Sequence, residues 1–245
     1  MWYTITSDSW HPSGRSYRFR PDVKSFKAAL YAQSFPSFWR FPSEESVRWK
    51  WLGEAMPPLY ARHLFMRLGA KGKLLDLFAG IGGWGLGFVL SGKCKYIEMV
   101  EIDRRKCQYL EINFKELRRL VEGHVDDFEF NVIWGDVRKY EPSDKFDVIT
   151  ASPPCEDYSV LRALSLRYGV ELRGTLPLST WYLEFVRDLN PPLALYENVV
   201  ANKIKEVLLR YGWRVETHDM SAIIPQRRRR IIAIYRKSAF IMSKG

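Results

Sequence analysis

Asp76-Leu77-Phe78-Ala79-Gly80-Ile81-Gly82-Gly83 is the stretch on which the fold turns. It grows out of an apolar run, Leu74–Phe78, that reads as a strand, and it leads into an apolar segment ending at Leu90 that reads as a helix. Glycines at a strand-to-helix turn let the backbone approach a ligand, because no Cβ stands in the way. Their spacing is not GxGxxG, and the turn lacks the lysine of a P-loop. Glu101 ends the next strand, 25 positions after Asp76. That interval suits a carboxylate holding the ribose hydroxyls of a nucleoside cofactor. Asp136, in Gly135-Asp136-Val137, closes a third strand and could accept from an adenine amino group.

Outward from this turn the chain alternates. Strands are expected at 74–78, 96–101, 128–133, 146–151, 194–197, 213–219 and 231–235. Helices are expected at 55–68, from the glycine turn to 90, and at 104–120, 179–189 and 203–211. The helix at 55–68 should bury Leu59, Leu64, Phe65 and Leu68. Residues 1–50 are aromatic and basic, without clear periodicity. The pattern implies an α/β fold, doubly wound and Rossmann-like, with a mostly parallel sheet.

The chain has 245 residues, 47% hydrophobic and 27% charged, enough for one sizeable core. It has no apolar run of membrane-spanning length, and Met1-Trp2-Tyr3-Thr4 does not open a signal peptide. A cytoplasmic protein with no membrane partner is therefore expected. Lys and Arg number 38 against 28 Asp and Glu, a net charge of +10 that suits a polyanion such as DNA or RNA. Cys94, Cys107 and Cys155 form no CxxC pair and have no His at ligand spacing, so neither a metal site nor a disulfide framework is expected. Cys94 and Cys107 read as ordinary buried thiols.

Three further segments sit at strand ends. Ser152-Pro153-Pro154-Cys155-Glu156-Asp157-Tyr158-Ser159 follows the fourth strand and holds a thiol on a proline-stiffened loop, a good place for a nucleophile. Glu197-Asn198-Val199 ends the next strand, and Gln226-Arg227-Arg228-Arg229-Arg230 precedes the last. Each has a bland reading: a structural cysteine, a common tripeptide, a solvated basic face. All three in this order, each at a strand edge, do not.

On these residues the chain resembles the C5-cytosine DNA methyltransferases, over roughly 20–236. DLFAGIGG is similar to the family's cofactor motif and SPPCEDYS to its Pro-Cys-Gln-x-x-Ser motif. Arg173-Gly174-Thr175-Leu176 is similar to a stretch whose Leu lies against the cofactor. Glu-Asn-Val matches outright, and QRRRR fits Gln-x-Arg-x-Arg. The family's two closing motifs stand here at the start, as Gln33-Ser34-Phe35-Pro36-Ser37-Phe38-Trp39-Arg40-Phe41-Pro42 and Gly53-Glu54-Ala55-Met56-Pro57-Pro58. By that resemblance the order implies a circular permutation within a single catalytic domain, 1–245, in which 1–70 would carry the displaced motifs and 71–236 the cofactor and catalytic core. Rejoining surface termini leaves core contacts intact. Two positions depart from the pattern: Glu54 stands for the usual Asn and Glu156 for the usual Gln.

The resemblance implies S-adenosyl-L-methionine as cofactor, held by Asp76, Phe78, Ala79, Gly80, Gly82, Gly83, Glu101, Ile102, Asp136, Val137, Pro154 and Leu176, with Glu54, Ala55 and Met56 at its polar end. It implies Cys155 as nucleophile at C6 of cytosine, Glu197 at N3, and Arg228 and Arg230 at O2 and nearby phosphate. Ser159, Asn198 and Gln226 would contact the substrate. DNA is the implied partner, with a flipped target base, in the setting of restriction-modification. A tRNA cytosine-5 methyltransferase and a non-catalytic regulatory subunit are the two alternatives. The family's target-recognition region could occupy only the two chain ends here. A second polypeptide or self-association is therefore expected to supply specificity.

Overall fold

A computed structural model describes residues 25–124, 127–154 and 178–237. Seven strands form one sheet: β1 (Gly72–Leu77), β2 (Cys94–Glu101), β3 (Glu129–Trp134), β4 (Val148–Ala151), β5 (Leu193–Asn198), β6 (Arg214–Asp219) and β7 (Arg229–Arg236). Their order is β3-β2-β1-β4-β5-β7-β6. β1 to β5 run parallel, and β7 is inserted antiparallel between β5 and β6. β4 and β5 are buried at every position, which is why they read as mostly apolar runs, broken by Thr150, Glu197 and Asn198, and not as alternation. The order reverses between β1 and β4, and ligands of such sheets bind in the crevice at that switch point.

The described helices are α1 (Phe26–Ala32), α2 (Glu45–Glu54), α3 (Pro58–Leu68), α4 (Gly83–Leu90), α5 (Arg104–Val121), α6 (Leu178–Leu189) and α7 (Asn202–Arg210). One face of the sheet packs against α1 to α5, through residues such as Leu64, Phe88 and Phe114. The other packs against α6 and α7, through Tyr182, Leu183 and Leu208. A ring such as Phe114, fully buried, contributes about 2–3 kcal/mol by leaving water. Local chemistry sets the helix ends. Pro57 and Pro58 start α3, and Gly69, at φ 65°, ends it with its N–H on the carbonyls of Phe65 and Met66. Asp103 caps α5 by accepting from the N–H groups of Arg105 and Lys106, while Arg118 and Arg119 sit in its last turn.

Two sequence expectations need correction. The buried stripe of α3 is Tyr60, Ala61, Leu64 and Phe65; Leu59 is exposed, because the apolar target is shared between the sheet and α4 and the helix is turned by one position. The stretch before 55 is not featureless: α1 and α2 lie there. α2 buries Trp49, Trp51, Leu52 and Gly53, and consecutive buried positions erase the 3.6-residue period. Cys94 and Cys107 are buried, as expected, and burial raises both thiol pKa values, that of Cys107 to about 12. Among the described residues, no helix is long and apolar enough to cross a membrane.

Candidate active site

The glycine turn is built from left-handed residues. Gly80 and Gly82 have φ of 59° and 85°, and Phe78, with a side chain, is held at φ 59°. Such a conformation costs a non-glycine residue on the order of 1–2 kcal/mol. It persists because Phe78 packs edge-on against Trp181 and is followed by an Ala79 N–H bound to Val100 O at 3.1 Å. A Cβ on Gly80 would meet only the Phe78 carbonyl, at 3.9 Å, so open space lies beside it. A Cβ on Gly83 would fall 2.0 Å from the Met56 carbonyl oxygen. The segment before α3 thus lies directly against the turn, and Trp39 Nε1 donates to Ile81 O from the same side.

Two carboxylates stand behind the turn. Glu101 closes β2, 6% exposed, with Oε2 accepting from Gly80 N at 2.8 Å and Oε1 from Asp103 N at 2.9 Å. Burial raises its pKa; Lys106 and the two backbone donors oppose the rise. Asp76 is fully buried and accepts from the Thr150 hydroxyl at 2.8 Å. Burial, followed by the charge of Glu101, pushes its pKa up to about 7. Asp76 is a support within the sheet and Glu101 the group at its edge.

Ile102 and Trp134 form an apolar lip beyond Glu101, 65% and 60% exposed. Trp134 Nε1 donates to Ile102 O, and the Arg104 guanidinium lies 5.0 Å over the indole. The sequence reading missed Trp134; its signal was an aromatic just before Gly135-Asp136-Val137. Asp136 lies where it was expected, with Val137 buried behind it. Both its oxygens are engaged by Arg138, at 2.6–3.1 Å, and that guanidinium keeps the carboxyl below the usual range.

Across the switch point, Glu197 ends β5, almost wholly buried, and Arg230 Nε stands 3.0 Å from its Oε1, angled off a hydrogen bond. Asn198 Nδ2 donates to Pro153 O at 3.0 Å, and Trp84 Nε1 to Ser152 Oγ at 3.0 Å. These two bonds fix the start of the loop that continues into Cys155. Pro154 is exposed at its end. Cys155, Ser159 and Leu176 lie outside the described residues.

Other expected site residues are placed differently. Arg228 is 1% exposed, and its guanidinium donates to Gly53 O at 3.0 Å and Ala55 O at 3.2 Å. Burial, then the neighbouring Arg230, lowers its pKa to about 9 against the pull of Glu197, and it stays cationic at neutral pH. A phosphate has no access to it. Gln226 is wholly buried and donates to Ala32 O and to the side chain of Gln33, which in turn donates to Leu52 O and Ala55 O. Arg228, Gln226 and Gln33 therefore clasp the Gly53–Met56 segment, and Asn198 holds a loop. Glu54 points to Lys106 at 3.3 Å and Lys50 at 3.8 Å. Of the expected catalytic groups among the described residues, Glu197 and Arg230 meet.

The architecture is that of the Rossmann-like methyltransferases. PH1948 from Pyrococcus horikoshii, classed with the RNA methyltransferases, superposes at a TM-score of 0.51 and 16% identity, covering 88% of this chain and 97% of that one. The family model for C-5 cytosine-specific DNA methylase matches residues 72–243, and the chain belongs to that family. Type II methyltransferase M.Eco47II of Escherichia coli is 31% identical over 179 residues, 66% of this chain and 38% of that protein. M1.HphI of Haemophilus parahaemolyticus is 27% identical over 179 residues, 66% of this chain and 45% of that one. The chain thus spans less than half the length of these two relatives.

Proposed function

We propose that this chain transfers a methyl group from S-adenosyl-L-methionine to carbon 5 of cytosine in DNA. The observation that carries the reading is the buried Glu197 paired with the half-buried Arg230, standing at the carboxyl edge of the sheet beside the anchored Ser152–Pro154 loop. The cofactor cradle fits on the other side of the switch point. Open space beside Gly80 admits a ligand, and Glu101, fixed by two backbone donors, has lone pairs left for a ribose diol. Phe78 and Ile102 offer apolar surface to an adenine, and Asp136 reaches its amino group if Arg138 shares the carboxylate. Met56 closes the side toward Gly83. The cofactor supplies the electrophilic methyl.

Cys155 adds through Sγ to C6 of the base, and the electron pair moves to C5 and N3. Glu197 holds a proton at N3, while Arg230 sets the Glu197 carboxyl in place and lies near O2. After C5 has taken the methyl, a base takes the C5 proton, the freed electron pair re-forms the C5–C6 double bond, and Sγ leaves C6 as the thiolate. Arg228 supports the site from behind. In the same reading, Gln33–Pro42 and Gly53–Pro58 are the family's closing motifs placed first. Their contacts with Ile81, Gly83 and Arg228 support that permuted order. Target recognition through a second polypeptide or self-association is part of the proposal. Tight, site-specific footprinting by a verified monomer would overturn that part alone.

The test is labelled-methyl transfer to duplex DNA and to tRNA, followed by base analysis and by trapping on DNA containing 5-fluorocytosine. The wild type should give 5-methylcytosine in DNA and a gel-stable adduct, and Cys155→Ser neither. Label confined to tRNA, or a Cys155→Ser protein as active as wild type, overturns the reading.

A further inference from the structure

We propose that Tyr60, His218 and Glu216 form a positioning relay that holds Arg230 against Glu197. The three residues lie outside every motif quoted above, on α3 and on the edge strand β6. The Tyr60 hydroxyl meets His218 Nδ1, and His218 Nε2 lies 2.6 Å from Glu216 Oε2. Glu216 is itself fixed from two sides, by Arg67 of α3 at 3.0 Å and by Arg214 at 2.8 Å.

The direction of the chain follows from chemistry. Glu216 offers only acceptors, so Nε2 faces it with a ring hydrogen, and Nδ1 of that tautomer accepts from the Tyr60 hydroxyl, whose pKa burial raises to about 12. Burial pushes the Glu216 carboxyl up, but His218 and Arg67 outweigh it and keep the group charged. Both ring nitrogens are satisfied, and the imidazole cannot swing without breaking a bond.

The sheet register brings this ring to the site. His218 is directly opposite Arg230 on β6 and β7, and Glu216 and Glu197 are both opposite Ile232. Directly opposite residues share a face, and their neighbours two positions away lie within reach of a long side chain. Tyr60, Glu216, His218, Arg230 and Glu197 therefore occupy the α3 face together. Arg230 crosses that face to Glu197, with Nε 3.0 Å from Oε1, while Nη1 donates to the Arg229 carbonyl. A long side chain held by so little loses its geometry easily. A locked imidazole across the ladder removes the rotamers that lead away from Glu197. α3 begins two residues after Met56, so the relay also ties the cofactor side of the site to Arg230.

The inference rests on the proposed role of Glu197 and Arg230, and two measurements separate them. The first needs no turnover: the exchange rate of the Arg230 Nε–Hε proton by nitrogen-15 NMR in the free chain. Tyr60→Phe and His218→Leu should each speed it about threefold to tenfold, as the guanidinium leaves the Glu197 carboxylate more often. Signals of the clasping Arg228 should stay unchanged. The second is methyl transfer to DNA. kcat should fall by a similar factor, with KM for the cofactor unchanged, and Tyr60→Phe should add nothing in an Arg230→Lys background. An Arg230 signal indifferent to both substitutions, or additive losses with Arg230→Lys, overturns the relay. An Arg230 signal that responds in a chain that methylates tRNA and no DNA upholds the relay and overturns the proposed function instead.

Discussion

Glu101→Gln should weaken binding of S-adenosylhomocysteine about 12- to 140-fold at pH 8. The figure comes from the geometry. Both carboxylate oxygens accept from backbone, Oε2 from Gly80 at 2.8 Å and Oε1 from Asp103 at 2.9 Å. An amide offers one oxygen and one NH2 group, so whichever way it turns, one backbone N–H faces another donor. The glycine turn or the start of α5 must then give way, at a side chain 6% exposed where water cannot substitute freely. Losing a hydrogen bond to a charged group costs about 1.5–3 kcal/mol, and each 1.4 kcal/mol is tenfold in affinity. The ribose hydroxyls would lose their charged acceptor in the same change. Burial raises the Glu101 pKa, so wild-type affinity should fall as pH drops through that raised value and the carboxyl takes a proton. The Gln variant has no proton to take and should not follow. Titration calorimetry at pH 8 and pH 5.5, with circular dichroism to check the fold, reads both effects. Affinity of the variant within twofold of wild type at pH 8 would refute the placement of the cofactor at Glu101.

Two further outcomes follow from burial and packing. Gly83→Ala places a Cβ 2.0 Å from the Met56 carbonyl, and a helix start cannot yield that far, so urea denaturation should show a loss of about 1–3 kcal/mol. Gly135→Ala, whose Cβ would find its nearest atom at 3.9 Å, serves as control and should stay within about 0.5 kcal/mol of wild type. Asp76 has a folded-state pKa of about 7, above the unfolded value near 4, so its contribution to stability is present below pH 4 and is lost as pH rises through 7. Asp76→Asn should therefore gain on wild type between pH 4 and pH 8, by up to about 4 kcal/mol; parallel stability curves would show that the carboxyl is not held neutral.

The sequence was most legible where one physical demand acted alone. The apolar runs of β1, β4 and β5 and the strand-end positions of Glu101, Asp136 and Glu197 could be read directly, because buried parallel strands leave a mostly apolar signature. It was least legible where two demands overlapped. α2 buries adjacent residues on different sides and shows no period. Arg228 and Gln226 look like substrate-binding groups in sequence, since a cation or amide at a strand edge usually faces a ligand. Only the fold shows that the carbonyls of Ala32, Gly53 and Ala55 wait there for donors. Trp134 carries no spacing rule, and its role at the lip depends on the backbone carbonyl of Ile102, just past the end of β2.

The clasp among Gln33, Gly53, Ala55, Gln226 and Arg228 has a consequence for how the chain is made. Gln33 and Gln226 are 193 positions apart, yet each satisfies the other in the interior. A ribosome releases the first of these residues about 10–40 s before the last, at ordinary elongation rates of about 5–20 residues per second. Through that interval the carbonyls of Ala32 and Gly53 lack the donors of Gln226 and Arg228, Ala55 has Gln33 but not Arg228, and the tryptophans of α2 lack the rest of the core. Closing contacts of such span is slow for any chain. The nascent protein must therefore carry an aromatic, basic, half-assembled front end until its last strand emerges. The same donors that complete the site also end the period in which the chain is most exposed to aggregation, so folding of the front end and readiness of the site arrive in a single late step.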